Sequence, residues 1–329
     1  MSKDELPWVD KYRPEILDDI VQQTEIIKIL NNTKKTGNLP HLLFFGPPGT
    51  GKTSTILAIA KELFGKKVNE RVIELNASDD RGINIVREKI KAFAKTCIGT
   101  GDPNYPSPEY KLIILDEADA MTTEAQAALR QIIEATSNIT RFCFICNYIN
   151  RIIEPIVSRC QKIRFKAIEP ANLKKRLRYI ADKENIKIKD DALELICELS
   201  LGDMRRSIHK LQNLQYLSKI KDIITYDDIN NLIGNIDNKV IDEIIKICKT
   251  KNISSVIERV NYIKREAYPI QFLLQKIQSN LLNDKDLDDS KKANLMIMIA
   301  NVDVKLLNGA DEFIQIMNVL LKIHKCFAV

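Results

Sequence analysis

Up to about Phe165, short apolar runs alternate along the chain with amphipathic segments. His41-Leu-Leu-Phe-Phe45, Arg71-Val-Ile-Glu-Leu75, Leu112-Ile-Ile-Leu115 and Phe142-Cys-Phe-Ile-Cys146 predict four strands. Their residues are apolar on both sides of the pleat, as in strands buried on both faces. Between them, Thr53 to Phe64, Val86 to Thr96 and Thr123 to Ala135 carry apolar residues at helical spacing. Strand and helix in alternation imply a parallel sheet with helices on both faces.

After Phe165 the strand signal stops. Leu173, Leu177 and Ile180, then Leu193, Ile196, Cys197 and Leu199, repeat at helical spacing, with Asn185 to Asp191 linking the two segments and Gly202 breaking between two more. A Gly/Asn-rich stretch, Gly234 to Asn238, marks a second boundary. Beyond it Val240 to Cys248, Ile253 to Ala267, Ile270 to Leu282, Lys291 to Leu307 and Ala310 to Cys326 read as helices, and Asn283 to Ser290 as a polar loop. The expected fold class is α/β plus all-α: a parallel-sheet domain over residues 1–166 and helical domains over 167–234 and 235–329.

Composition narrows this picture only a little. The 329 residues exceed one comfortable core, which suits several domains. A formal charge of +6 suits contact with nucleic acid without establishing it. Met1 to Asp10 is polar and acidic, so no export segment is expected, and no apolar run approaches the ~18 residues of a membrane span. Seven scattered Cys are expected to stay reduced. Cys143 and Cys146 have C-x-x-C spacing, but inside a buried strand they project in different directions, and no second pair or His cluster completes a zinc site.

The chemistry begins at Gly46-Pro-Pro-Gly-Thr-Gly-Lys-Thr53, which matches the G-x-x-x-x-G-K-[ST] phosphate loop between a buried strand and an amphipathic helix. Its backbone N–H groups would turn toward a β-phosphate, with the helix N-terminus adding partial positive charge. Lys52 would reach the β- and γ-phosphate oxygens, and the Thr53 hydroxyl would bind Mg²⁺. A second acidic site follows at Lys111-Leu-Ile-Ile-Leu-Asp-Glu-Ala-Asp119, where a strand delivers Asp116 and Glu117 at its carboxyl end. Asp116 would contact Mg²⁺, directly or through water, and Glu117 would act as general base on the attacking water. These residues imply ATP or GTP binding, and Glu117 implies hydrolysis.

With those motifs in place, Asp116-Glu-Ala-Asp119 after the phosphate loop resembles the AAA+ ATPases. Pro7-Trp-Val-Asp-Lys-Tyr-Arg-Pro14, Glu74-Leu-Asn-Ala-Ser-Asp79, Ser158-Arg-Cys160 and Gly202-Asp-Met-Arg-Arg206 are similar to signatures of the small subunits of replication factor C, a clamp loader. The resemblance runs in order from Leu6 to about Gln212. Two further stretches, Arg141 to Pro155 and Asn308 to Glu312, resemble one branch of those subunits.

The resemblance carries roles with it. It implies ATP as the nucleotide, with Val9, Tyr12, Arg13 and Pro14 bordering the adenine. Gly46, Pro47, Pro48, Gly49, Thr50, Gly51, Lys52, Thr53 and Ser54 would cradle the phosphates. Asn147 would orient water near the γ-phosphate, Asn76 would hold Glu117 inactive until DNA binds, and Arg205 would reach the γ-phosphate from the second domain. Arg159 would reach the ATP of a neighbouring subunit, an effect of ~10³–10⁵ in rate where such arginines act. Ser78, Arg81, Gly82, Ile83, Arg87 and Lys91, with Arg130, would track a DNA backbone by shape. Basic helix faces alone would leave DNA binding undecided. Ala92 to Ile98 would meet the sliding clamp. The implied partners are other replication factor C subunits, the sliding clamp PCNA and primer–template DNA, with no membrane, in the nucleus. Two other readings stand beside this one: a homo-oligomeric branch-migration motor of the same superfamily, and a non-enzymatic subunit that binds ATP only to shape its partners.

Overall fold

In the computed structural model, residues 6–77, 83–96, 99, 102–233, 236–250 and 252–327 are described. The chain divides into two compact units, Met1–Thr225 and Tyr226–Val329.

Five parallel strands form the sheet of the first unit: β1 Leu42–Phe45, β2 Val72–Asn76, β3 Lys111–Asp116, β4 Thr140–Cys146 and β5 Gln161–Arg164. Their order is β2-β3-β4-β1-β5. Period-two alternation sends Leu42, Phe44, Leu112, Ile114, Cys143 and Ile145 into one apolar cluster, with Ile56, Ile59 and Leu63 of the helix Lys52–Phe64. Leu43, Ile113, Leu115, Phe142, Phe144 and Cys146 enter a second cluster, with Leu129, Ile132 and Ile133 of the helix Thr123–Thr136. Each such buried side chain contributes about 1.5–3 kcal/mol of transfer free energy. Cys143 and Cys146 thus fill opposite faces of the sheet, as their spacing predicts. Burial raises both thiols, Cys146 to about 12, which keeps them protonated and unreactive. Among the described residues no group of three or more His, Cys, Asp and Glu is placed to hold a metal ion.

The sequence pattern predicts four strands and the structure has five. The additional one, Gln161-Lys-Ile-Arg164, buries only Ile163 because it is an edge strand paired on one side with β1. A helix at Thr24–Thr36, ended by Gly37 in the left-handed region, also precedes the sheet.

The rest of the first unit is helical. Pro170–Lys183, Asp190–Ser200 and Met204–Asn213 pack on one another around Leu173, Leu177, Leu193, Ile196 and Leu211. Pro170 stands in the first helical turn, where its missing N–H leaves no bond unmade. Asp203 caps the third of these helices, its side chain accepting from the Arg206 N–H.

The second unit consists of the helices Tyr226–Ile233, Asn238–Cys248, Ile253–Arg265, Ile270–Asn283, Asp289–Leu307 and Glu312–Phe327. Ile244, Val260, Leu273, Ile277, Leu320 and Ile323 are among its core residues. Asp289–Leu307 is apolar on more than its core side: Ile297, Val304 and Leu307 lie exposed at spacings of seven and three. Among the described residues no helix is long and apolar enough to cross a membrane.

Candidate phosphate-binding site

The sheet order reverses at β1, and the residues of interest gather at the carboxyl ends of the strands beside that point, where open α/β sheets bind ligands. The loop after β1 turns into the helix Lys52–Phe64 through Gly51, whose φ of 93° a side chain would oppose. The helix start therefore faces the cavity with its first N–H groups free of intrahelical partners.

Lys52 is folded back over this loop. Its ammonium donates to the carbonyls of Gly46 and Pro47, both at 2.8 Å, and to Asn147 Oδ1 at 3.0 Å. Burial pushes it below the usual lysine range, with Arg205 adding to that effect and Asp116 opposing it. The Thr53 hydroxyl donates to Asp116 Oδ2 at 2.7 Å. A hydroxyl and a carboxylate converging from β3 and the helix start form a hard-oxygen pair suited to Mg²⁺, which binds through few protein oxygens and keeps water and phosphate oxygens as its other ligands.

Glu117 takes a left-handed φ of 54°, uncommon away from glycine, while its N–H donates to Asp116 Oδ1 at 2.8 Å. The backbone thus reverses directly after Asp116, and both acidic residues line the same cavity. Asp119 supplies a part the sequence reading leaves unassigned. Its Oδ2 accepts the N–H groups of Asn147 and Tyr148, both at 3.1 Å, and so ties the end of β4 to the acidic turn. Asp119→Ala is expected to slow turnover by up to about 10²-fold through misplaced Asn147 while nucleotide affinity holds. Turnover measured beside equilibrium binding checks this, and parallel loss of both would reject it.

Val9, Tyr12, Arg13 and Pro14 line the cavity, joined by Ile20, Val21, Ile168, Arg176, Met204 and Ile208. The N-terminal segment is docked. Trp8 is buried and its backbone N–H donates to Gln212 Oε1 at 3.2 Å. The Tyr12 hydroxyl donates to Glu184 at 2.5 Å, with Lys11 on the same carboxylate at 2.7 Å. Burial, then the Glu184 contact, pushes the Tyr12 phenol up to about 12. Arg176 donates to the Tyr12 carbonyl at 2.9 Å.

The remaining expected residues fall in different places. Arg205, Pro48, Gly49, Thr50, Thr53, Ser54 and Asn147 line the cavity. Asn76 ends β2 opposite Asp116 in register. Arg159 is exposed, is not in the cavity lining, and donates to Glu134 at 2.6 Å and the Pro155 carbonyl at 2.7 Å. Arg130 reaches the same Glu134 oxygen at 3.0 Å, and the two guanidiniums, Arg130 foremost, hold that carboxyl below its usual range. Lys91 is exposed on the helix Ile83–Lys95. Ser78, Arg81 and Gly82 lie outside the described residues, as do the side chains of Ile83 and Arg87 and, of the stretch expected to meet the clamp, Cys97 and Ile98.

Comparison with known proteins places the chain in a family. Residues 42–167 match the ATPase family associated with various cellular activities. Residues 175–213 match the RCF1/5-like AAA+ ATPase lid domain, and 236–322 the replication factor C C-terminal domain. Replication factor C subunit 2 of Saccharomyces cerevisiae is 44% identical over 97% of this chain and 93% of its own length. The chain belongs to the replication factor C subunit family. Replication factor C subunit 4 of Homo sapiens is 43% identical over 95% of this chain and 86% of its own length. These two relatives carry the subunit names of the branch that Arg141 to Pro155 and Asn308 to Glu312 resemble. A replication factor C subunit with an AAA domain is a nucleotide-binding ATPase. Among solved structures, the RuvB Holliday junction branch migration motor of Thermotoga maritima superposes with a TM-score of 0.54 over 80% of this chain and 91% of its own, at 20% identity. That likeness shows the shared fold alone.

Proposed function

We propose that the chain is an ATPase subunit of a five-membered clamp loader acting in the nucleus during DNA replication and repair. ATP and Mg²⁺ bind at the cavity and arrange the subunits so that the sliding clamp PCNA opens. Primer–template DNA then triggers hydrolysis, clamp closure and release. Residues 1–166 act as the ATPase domain, 167–234 as its lid and 235–329 as the collar that joins the assembly.

The observation that carries this reading is the position of Arg159. The chain's own cavity is lined by Lys52, Thr53, Asp116, Glu117, Asn147 and Arg205, while Arg159 stands exposed outside it. An arginine exposed outside the chain's own cavity, free to reach beyond it, fits a ring in which each subunit supplies a cation to its neighbour's site. Exposed Ile297, Val304 and Leu307 on the last-but-one helix give the collar an apolar stripe for a partner subunit.

By family resemblance, Val9, Tyr12, Arg13 and Pro14 hold the adenine, and Asn76 restrains Glu117 until DNA arrives. The DNA contacts are Ser78, Arg81, Gly82, Ile83, Arg87, Lys91 and Arg130. The test is co-expression with candidate clamp-loader subunits, then ATPase rates with and without clamp and primed DNA. Strong stimulation by clamp plus DNA, reduced by Lys52→Ala, is the expected result. A homo-oligomer stimulated by DNA and indifferent to the clamp would overturn the proposal and favour a branch-migration motor. Assembly and clamp opening with no hydrolysis at this site would favour a purely structural role.

A further inference from the structure

The helix Met204–Asn213 starts against the phosphate loop, and one side chain governs that junction. Gly49 has a left-handed φ of 66°, and a Cβ placed on it would lie 1.7 Å from Asp203 Oδ1. The Asp203 carboxylate therefore occupies the space that glycine leaves open. The Met204 N–H donates to the Gly49 carbonyl at 3.1 Å, closing the contact with a backbone bond. Meanwhile Asp203 Oδ1 accepts the Arg206 N–H at 3.1 Å, which caps the helix. Ser207 fastens the same turn, its hydroxyl donating to the Asp203 carbonyl at 2.8 Å. Asp203 is only 8% exposed, so this carboxylate has been taken from water to sit beside a loop built for anions.

Electrostatically the placement opposes phosphate binding. Arg206 Nε at 3.5 Å from Oδ2 and the positive helix end soften that opposition. What the carboxylate supplies at such a position is geometry. Between Asp203 and Arg206 stands Arg205, which lines the cavity together with Met204 and Ile208 and lies close enough to Lys52 to depress its ammonium.

We infer that Asp203 is a positioning residue for Arg205: by capping the helix and seating its first turn on Gly49, it fixes where the Arg205 guanidinium meets the γ-phosphate. The inference rests on the reading of Arg205 as a γ-phosphate ligand and deepens it. Asp203 itself is not part of the cavity lining. Its part is to couple the helical lid to the phosphate loop at Gly49, where a side chain on the loop would prevent contact.

The experiment compares ATP and ADP affinities of the full chain by competition with a fluorescent ADP analogue. Arg205→Ala is expected to lower the preference for ATP over ADP roughly ten- to hundredfold, the loss of one charge-assisted hydrogen bond. Asp203→Ala is expected to reproduce most of that loss with ADP affinity unchanged. Asp203→Asn, which keeps the cap and the shape, is expected to restore the preference. The double variant Asp203→Ala, Arg205→Ala is expected to be no worse than Arg205→Ala alone, because both act through one guanidinium. A retained preference in Asp203→Ala beside a lost one in Arg205→Ala would overturn the inference and leave the role of Arg205 standing. No effect of Arg205→Ala would overturn that role itself. Equal loss in Asp203→Asn, or falling ADP affinity in Asp203→Ala, would also overturn positioning by the cap.

Discussion

Glu117→Gln is expected to bind ATP as tightly as the unaltered chain and to hydrolyse it about 10²–10⁴-fold more slowly, the usual contribution of a positioned general base. The expectation follows from how the turn after β3 is built. Asp116 and Glu117 are adjacent, yet the left-handed backbone at Glu117, held by its N–H on Asp116 Oδ1, separates their directions. Asp116 stays with Thr53 in a pair fit for the metal, and Glu117 is left exposed at the cavity to accept a proton from water. Glutamine matches glutamate in volume and preserves the turn, so the phosphate loop, Lys52 and Thr53 are untouched. Asp116→Asn is expected to behave differently, weakening Mg²⁺-dependent affinity together with turnover. Single-turnover hydrolysis in the assembled complex, beside equilibrium binding with and without Mg²⁺, separates the two. Should Glu117→Gln lose affinity and rate together, the base would have to be sought elsewhere, with the Glu117 backbone as a structural feature only.

What could be read from the chain and what could not divides along physical lines. Four strands are legible because burial on both faces demands continuous apolar residues, as in Leu112-Ile-Ile-Leu115. The fifth is not, because an edge strand carrying Gln161, Lys162 and Arg164 has only Ile163 to bury. The phosphate loop and the acidic strand end are local patterns, so their residues were identifiable before the fold was known. Asp119 stands in the same short motif and was available to be read, but its use, holding Asn147 across 28 residues of chain, depends on β3 and β4 being neighbours. Arg176 had no local signal at all, since only folding brings it to Tyr12, 164 positions away. Asp203 carried a partial one: Asp before an amphipathic helix is a capping pattern. Nothing in that pattern announces that the cap also rests on Gly49.

Arg159→Ala is expected to leave nucleotide affinity of the isolated chain unchanged and to slow hydrolysis at a neighbouring subunit's site by ~10³–10⁵ in the assembled complex. In the isolated chain the guanidinium is committed to Glu134 and the Pro155 carbonyl at the surface. Exposed ion pairs contribute little to stability, so its loss is expected to leave folding intact. The same exposure makes the arginine available: Glu134 also holds Arg130, and its carboxylate keeps a cationic partner when Arg159 turns toward a phosphate. A phosphoryl group gaining negative charge in the transition state would then meet a delocalised cation with five N–H donors, which lysine cannot reproduce. Arg159→Lys is accordingly expected to recover only a small part of the rate. The decisive measurement pairs this chain, as Arg159→Ala, with a neighbour whose own site is the one catalytic site left intact. Loss of hydrolysis there, with this chain's own site still binding ATP, establishes action in trans. Full activity at that neighbour's site would overturn action in trans and leave Arg159 with its surface ion pair alone.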